Sequence, residues 1–261
     1  MAGRTEISQY KSRLIVGLAL VLLVIVVLGT GWHSTMSSSS ASSTASMLPA
    51  GSYSNTLSAS TAASSSSSTA VSSSPSNLAV SLLSGSPPTL GSPNASVTIV
   101  EFGDYQCPTC GGWYRSQEAQ VIQNLVTTGK AKLVWRDFDY YGPDSVSASE
   151  AAYAAGEQGK FWQFHDLLFQ SQQTPNSGWA SKQNMEMFAR QLGLNMTQFD
   201  QSFNSGKYDT LVTSNHSLGV QAGVSETPTF FLIGPNGKMV TIAGGQPESV
   251  FEQAVASLTS G

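Results

Sequence analysis

Cys107 and Cys110 are the only cysteines in this chain of 261 residues, and Pro108 and Thr109 separate them. Thiols at this spacing can exchange with a disulfide: one attacks, a mixed disulfide forms, and the second thiol displaces the bound partner. A bridge across two residues adds little to folding stability, because that contribution grows with the length of loop closed. The pair therefore reads as chemistry rather than as a staple. CxxC is also half of a zinc site. The other half would have to come from His33, His165 or His216, the only histidines present. No two of these have the close spacing of a zinc finger, so no metal site is assigned. A copper or zinc module using the thiols is the non-redox alternative.

The elements around the pair give one thiol a reason to be reactive. SVTIVEFGDY at 96–105 is β-branched and apolar, as a buried strand is. CPTCGGWYRSQEAQVIQNLVTTGK reads as a helix with Pro108 in its first turn. Gly111 and Gly112 are costly inside a helix and mark a kink or a close approach. AKLVWRDF at 131–138 is a second strand. Strand, helix and strand with short joins make a βαβ unit, so these strands should be parallel. The cysteines then lie where strand meets helix, and the free amides and positive dipole end stabilise a thiolate. Cys107, facing solvent at the helix start, is expected to attack. Cys110, a turn further in and partly covered, is expected to resolve. The stretch from about 145 to 223 is helical throughout. PTFFLIGPNGKMVTIAG is a β-hairpin with Asn236-Gly237 as its turn, and 247–258 is a closing amphipathic helix.

VTIVEFGDYQCPTC at 97–110, LVWRDF at 133–138, QGKFWQFHDLLF at 158–169 and GVSETPTFFLIGPNGK at 223–238 together resemble the DsbA-like thiol-disulfide oxidoreductases of the thioredoxin superfamily. The resemblance covers residue 94 to the end and lies nearest the membrane-anchored or lipid-anchored branch. It implies an α/β thioredoxin-like fold, βαβ…ββα, with an inserted helical domain. It implies that Pro228 is the cis-proline facing the cysteines and that the Thr227 backbone pairs with an extended substrate segment. Glu101 takes the place of a buried acid beneath the pair, able to relay a proton from Cys110. Read from position alone, Glu101 is instead an ordinary strand-end charge. No cofactor is expected beyond the redox-active disulfide Cys107–Cys110. The chain departs from the family's strongest oxidants at Thr109, where they carry a histidine. A hydroxyl can donate one hydrogen bond to the thiolate but brings no positive charge. Pro108, Thr109 and Asp104 are thus expected to tune the pair, with Asp104 and Glu101 opposing the thiolate by repulsion. The expected Cys107 pKa is about 5 to 7, with a potential between about −270 and −120 mV.

Outside this region the chain changes character. Between Arg13 and Glu101 there is no charged residue. Residues 1–13 carry Arg4, Lys11 and Arg13, and 14–32 are apolar over the length of a bilayer-crossing helix. The charge bias places 1–13 in the cytoplasm and the rest outside, as a single-pass cell-membrane protein. A cleaved signal peptide is the competing reading, and both readings export the remainder. Residues 33–93, rich in Ser and Thr, read as a disordered stalk, with a local helix at Leu78 to Leu83. Residues 94–261 are the catalytic domain. The formal net charge of −4 offers no basic patch for nucleic acid. Expected partners are exported cysteine-containing proteins as substrates, a membrane redox partner that recycles the pair, and lipid through the N-terminal helix. Export favours disulfide donation. A tethered reductase serving cytochrome or metal-centre assembly is the alternative. Asn94, Asn195 and Asn215 each begin a glycosylation sequon, with Asn94 the best placed and Asn215, within a helix, the worst.

Overall fold

The computed structural model describes residues 75–260. The segments expected at 1–13 and 14–32, and the stalk up to residue 74, lie outside the described residues. Among the described residues no helix is long and apolar enough to cross a membrane.

In chain order the elements are α1 (Pro75–Leu83), β1 (Thr89–Gly91), β2 (Val97–Gly103) and a continuous helical run, α2. α2 consists of Pro108–Trp113, a π-helical turn Tyr114–Glu118, Ala119–Val121, and a second π-helical turn Ile122–Val126. Then come β3 (Ala131–Asp137) and the helices α3 (Pro143–Gly156), α4 (Phe161–Gln170), α5 (Lys182–Gln191), α6 (Met196–Phe203) and α7 (Asp209–Gln221). β4 (Thr229–Ile233), β5 (Met239–Ala243) and α8 (Glu248–Thr259) complete the fold. The sheet runs β1-β3-β2-β4-β5. β2 and β3 are parallel, as the βαβ reading requires, and every other neighbouring pair is antiparallel.

β2 is buried along its whole length, so it reads as an apolar run rather than an alternation. Its two faces still divide by period two. Val97 and Ile99 join the larger core with Leu133, Trp135, Phe230 and Leu232, beneath α2 and α8. Val100 and Phe102 join Val134, Phe138, Phe231 and Ile233 on the opposite face.

Two expectations are corrected. The stalk does not extend to residue 93, because α1 and β1 belong to the domain. Ala79 and Leu82 of α1 are buried on the Phe102 face, and Leu90 of β1 is buried in the larger core. A three-residue strand in a Ser/Pro-rich stretch is too short to show alternation. The hairpin turn is wider than two residues: the strands stop at Ile233 and restart at Met239 around a 3-10 turn, Pro235–Gly237. Pro235 has no N–H for the ladder, so pairing ends before it. The close approach expected at Gly111 and Gly112 is found at Gly111, where an added Cβ would fall 1.9 Å from Gln172 Oε1; α2 runs on through both glycines and passes into its two π-helical turns further on.

Candidate active site

Cys107 is the N-cap of α2, in an extended conformation (φ −69°, ψ 119°), with Pro108 next to it. Its N–H donates to the Asp104 carbonyl at 3.0 Å, and its own carbonyl accepts from the Gly111 N–H at 3.1 Å. The Cys107 thiol lies 3.4 Å from the Thr227 carbonyl, to which it donates, and the Thr227–Pro228 bond is cis. Both cysteines are free thiols. Cys107 does not face open solvent as its position at the helix start implies: it is 5% exposed, and Cys110 is fully buried. Pro108 and Thr109 form the exposed outer edge.

The two thiols are electrostatically unequal. The Cys107 pKa falls to about 6. The hydrogen bond from Cys110 contributes most, followed, against the cost of burial, by the Thr227 side chain and the backbone amides of Cys110 and Thr109. Burial pushes the Cys110 thiol well above its ordinary value, and the bond it donates to Cys107 and the negative charges of Cys107 and Glu101 push it further. A proton lost from this pair therefore comes from Cys107.

Glu101 lies on the β2 face that α2 covers, between Trp135 on β3 and Phe230 on β4. It is 2% exposed, and its Oε2 has no hydrogen-bond partner. Burial, then Glu118, then Cys107, hold its carboxyl well above the usual range. Asp104 is fully buried. Its Oδ1 accepts from the Gln106 N–H at 2.7 Å, and its Oδ2 from the Tyr140 and Tyr141 N–H groups at 2.7 and 3.0 Å and from the Ser145 hydroxyl at 3.0 Å. Burial raises its pKa against the pull of these four donors. Its carboxylate thus ties the β3–α3 loop to the turn before Cys107.

Sequence reasoning missed the residues of the helical insertion that hold this turn. Gln106 is buried; its Nε2 donates to the Ser145 hydroxyl at 3.0 Å, and its Oε1 accepts from the Asn176 N–H at 2.8 Å. Gln172 also reaches the turn, and the glycine at 111 is the only trace of it in the sequence. Among the described residues no cluster of three His, Cys, Asp or Glu side chains is placed to hold a metal. His165 is buried, its Nδ1 3.2 Å from the Tyr105 hydroxyl and its Nε2 3.5 Å from Glu118. His216 stacks on Phe138 with ring centroids 4.5 Å apart. His33 lies outside the described residues.

A family model described as thioredoxin matches residues 84–243. The chain is 33% identical over 146 residues to the Na(+)/H(+) antiporter NhaA 1 of Salinispora arenicola, an alignment covering 55% of this chain and 21% of that protein. The chain thus spans about a fifth of that relative's length. It is 26% identical over 151 residues to the probable disulfide bond formation protein D of Bacillus anthracis, covering 56% of this chain and 69% of that one. Among solved structures, oxidised BdbD from Bacillus subtilis superposes with a TM-score of 0.60 at 22% identity, covering 67% of this chain and 94% of that one. At that identity the match speaks for the fold.

Proposed function

The chain belongs to the thioredoxin family, and from that premise we propose that it is a DsbA-like thiol-disulfide oxidoreductase acting outside the cytoplasm and donating disulfides to exported proteins through Cys107 and Cys110. One observation carries the reading: a low-pKa thiol at a helix N-terminus, against the carbonyl of a cis-proline loop, backed by a thiol that keeps its proton.

In the donating direction the enzyme starts with the Cys107–Cys110 bond closed. A substrate thiolate attacks Cys107 Sγ; the new S–S bond forms, the Cys107–Cys110 bond breaks, and the electron pair leaves on Cys110 Sγ. Cys110 takes up a proton, and Glu101, whose burial favours its protonated form, is the group assigned to supply it. The second substrate thiolate then attacks its own half of the mixed disulfide and expels Cys107 as a thiolate. A low-pKa thiol leaves quickly. The substrate is oxidised by two electrons, the pair is reduced by two, and a membrane redox partner recovers them. The Thr227 carbonyl beside Cys107 supports extended pairing of the substrate backbone at this point. The uncharged anchor segment and the positive residues preceding it support a tethered enzyme with its catalytic domain outside.

The deciding experiment is the reduction potential of the pair, measured beside oxidation of a reduced substrate protein. The expected value lies between about −270 and −120 mV. A value at or below the lower figure would replace disulfide donation with the tethered-reductase reading.

A further inference from the structure

One side chain of the helical insertion grips the backbone of the attacking cysteine. Gln172, just after α4, donates from Nε2 to the Cys107 carbonyl at 2.8 Å and to the Tyr105 carbonyl at 2.9 Å. Its Oε1 accepts from Arg115 Nη1 at 3.3 Å, and Arg115 also reaches the Phe169 carbonyl at 3.4 Å. Both amide hydrogens are thus spent on the carbonyls either side of Gln106, and the amide oxygen is held from α2. The same amide sits over Gly111. A Cβ at that position would fall 1.9 Å from Gln172 Oε1 and 2.6 Å from Cδ, whereas one at Gly112 would meet nothing within 4 Å. Gly111 is therefore the seat of the Gln172 amide, directly after the resolving cysteine.

We infer that Gln172 is a positioning residue that clamps the Cys107 turn to the helical insertion and so keeps the Cys107 sulfur in line with the backbone amides of Thr109 and Cys110. The inference rests on the thiol-disulfide reading of the site and deepens it. The Cys107 carbonyl has room for both of its donors, Gly111 N–H and Gln172 Nε2, since a carbonyl oxygen carries two lone pairs. The Asp104 carbonyl holds the other side of the residue through the Cys107 N–H. Without the Gln172 amide, the Tyr105 and Cys107 carbonyls lose their donor from the insertion; the Gln106 and Tyr105 side chains still tie the segment to it, but the backbone at Cys107 is held less tightly. Hydrogen bonds weaken steeply once donor and acceptor leave alignment. The donors that stabilise the thiolate would then act on it less well, and more of the thiol would stay protonated.

Gly111→Ala and Gln172→Ala attack the same bridge from opposite ends. The alanine methyl would collide with the far end of a flexible side chain rather than with backbone, so Gly111→Ala displaces the amide and leaves the fold intact. Gln172→Glu keeps the shape, but its carboxylate can only accept. The experiment uses the full chain, reduced and in detergent, and reads the rate of Cys107 alkylation by iodoacetamide from pH 4 to 9, with the reduction potential of the pair in parallel. All three variants are expected to move the midpoint upward by up to about one pH unit, which lowers the rate at pH 6 by about fivefold. The potential should fall with them. The Gly111→Ala/Gln172→Ala double variant should be no worse than either single one, because both remove one interaction. A wild-type midpoint and potential in Gln172→Ala, with only the melting temperature lowered, would overturn the inference, as would strict additivity in the double variant. If Gln172→Ala does not fold, Gly111→Ala decides on the same readings. Failure of the wild-type pair to exchange disulfides at all would instead remove the functional reading, and the alkylation midpoint would still report whether Gln172 places the thiol.

Discussion

Burial alone would keep the proton on Cys107. Its thiol nevertheless falls to about 6, because the donors around it outweigh the loss of water. The alkylation rate of the reduced protein should accordingly rise with pH about a midpoint near 6, not near the free value of about 8.5. The linkage has a definite sign. A folded pKa below the unfolded one stabilises the reduced form fully above about 8.5, and this contribution is lost as pH falls through about 6. Urea unfolding of the dithiol and disulfide forms should therefore show the dithiol's advantage shrinking across that interval. If the two forms keep a constant stability difference from pH 8.5 to 5, the low thiol pKa is wrong. Cys107→Ser should abolish exchange, whereas Cys110→Ser should attack and then accumulate mixed disulfides, visible on non-reducing gels. At Glu101 the desolvated carboxyl has one oxygen without a partner. Glu101→Gln removes the proton donor and should slow exchange at Cys110 by about 10²-fold while raising the melting temperature at neutral pH. Loss of stability together with unchanged exchange would assign Glu101 to structure. Thr109 is exposed and lends its backbone amide to the sulfur, so Thr109→His places a cation at the open side of the thiolate and should raise the potential.

The elements position the site through contacts on both faces of the sheet. Arg136 on β3 is buried and points away from the cysteines. Its Nη2 donates to the carbonyls of Leu82 and Ser84 at the end of α1, and its Nη1 to Asn215 Oδ1 of α7 at 2.8 Å. Asn215 Nδ2 in turn reaches Asp137 Oδ2 at 2.8 Å and the Tyr153 hydroxyl at 3.0 Å. Arg136→Leu would strand these acceptors and should cost about 3 kcal/mol, read as a shift in the denaturation midpoint. The same logic tests the domain boundary. A chain beginning at residue 94 lacks Leu82 and Leu90, both essentially buried, and should be less stable than one beginning at residue 73 by at least about 3 kcal/mol. Equal stability of the two would return α1 and β1 to the stalk. On the other face, Gly103 is held open by Trp135, whose ring would lie 2.4 Å from an added Cβ. The close approach lets the indole lie under the turn that carries Asp104 and stack on Tyr105 at 4.8 Å.

At the scale of the whole molecule, the proposed arrangement is a catalytic domain tethered on the outer side of a membrane. It requires the chain to stay with membranes after carbonate extraction and the catalytic domain to be digested by protease added outside intact cells. Release by carbonate would favour the cleaved-signal reading instead. The sequons are ordered by their surroundings. Asn94 is exposed, Asn195 caps α6 by accepting from the Gln198 N–H at 3.2 Å, and Asn215 is 2% exposed within the Arg136 network. In a glycosylating host the intact mass should locate any glycan at Asn94 and none at Asn215.

Local chemistry made much of this legible in the sequence. A β-branched run followed by Cys-Pro-Thr-Cys and a helical pattern places a thiol at a helix N-terminus, because strand, cap and helix signals all act over a few neighbouring residues. The same reach separates Cys107 from Cys110, one turn deeper. The resemblance carried by Thr227-Pro228 supplied the loop that faces them. What the tertiary structure decided are pairings across long separations. The Cys107 thiol meets the Thr227 carbonyl 120 residues away, and its own carbonyl meets Gln172 65 residues away. Asp104 was legible only as a charge near the pair until the β3–α3 loop was seen folded over it. Glu101 could be read as a strand-end charge until Trp135 and Phe230 closed on either side. Periodicity tells which face of an element turns inward; which side chain meets it there depends on how separate elements pack, and no local pattern encodes that.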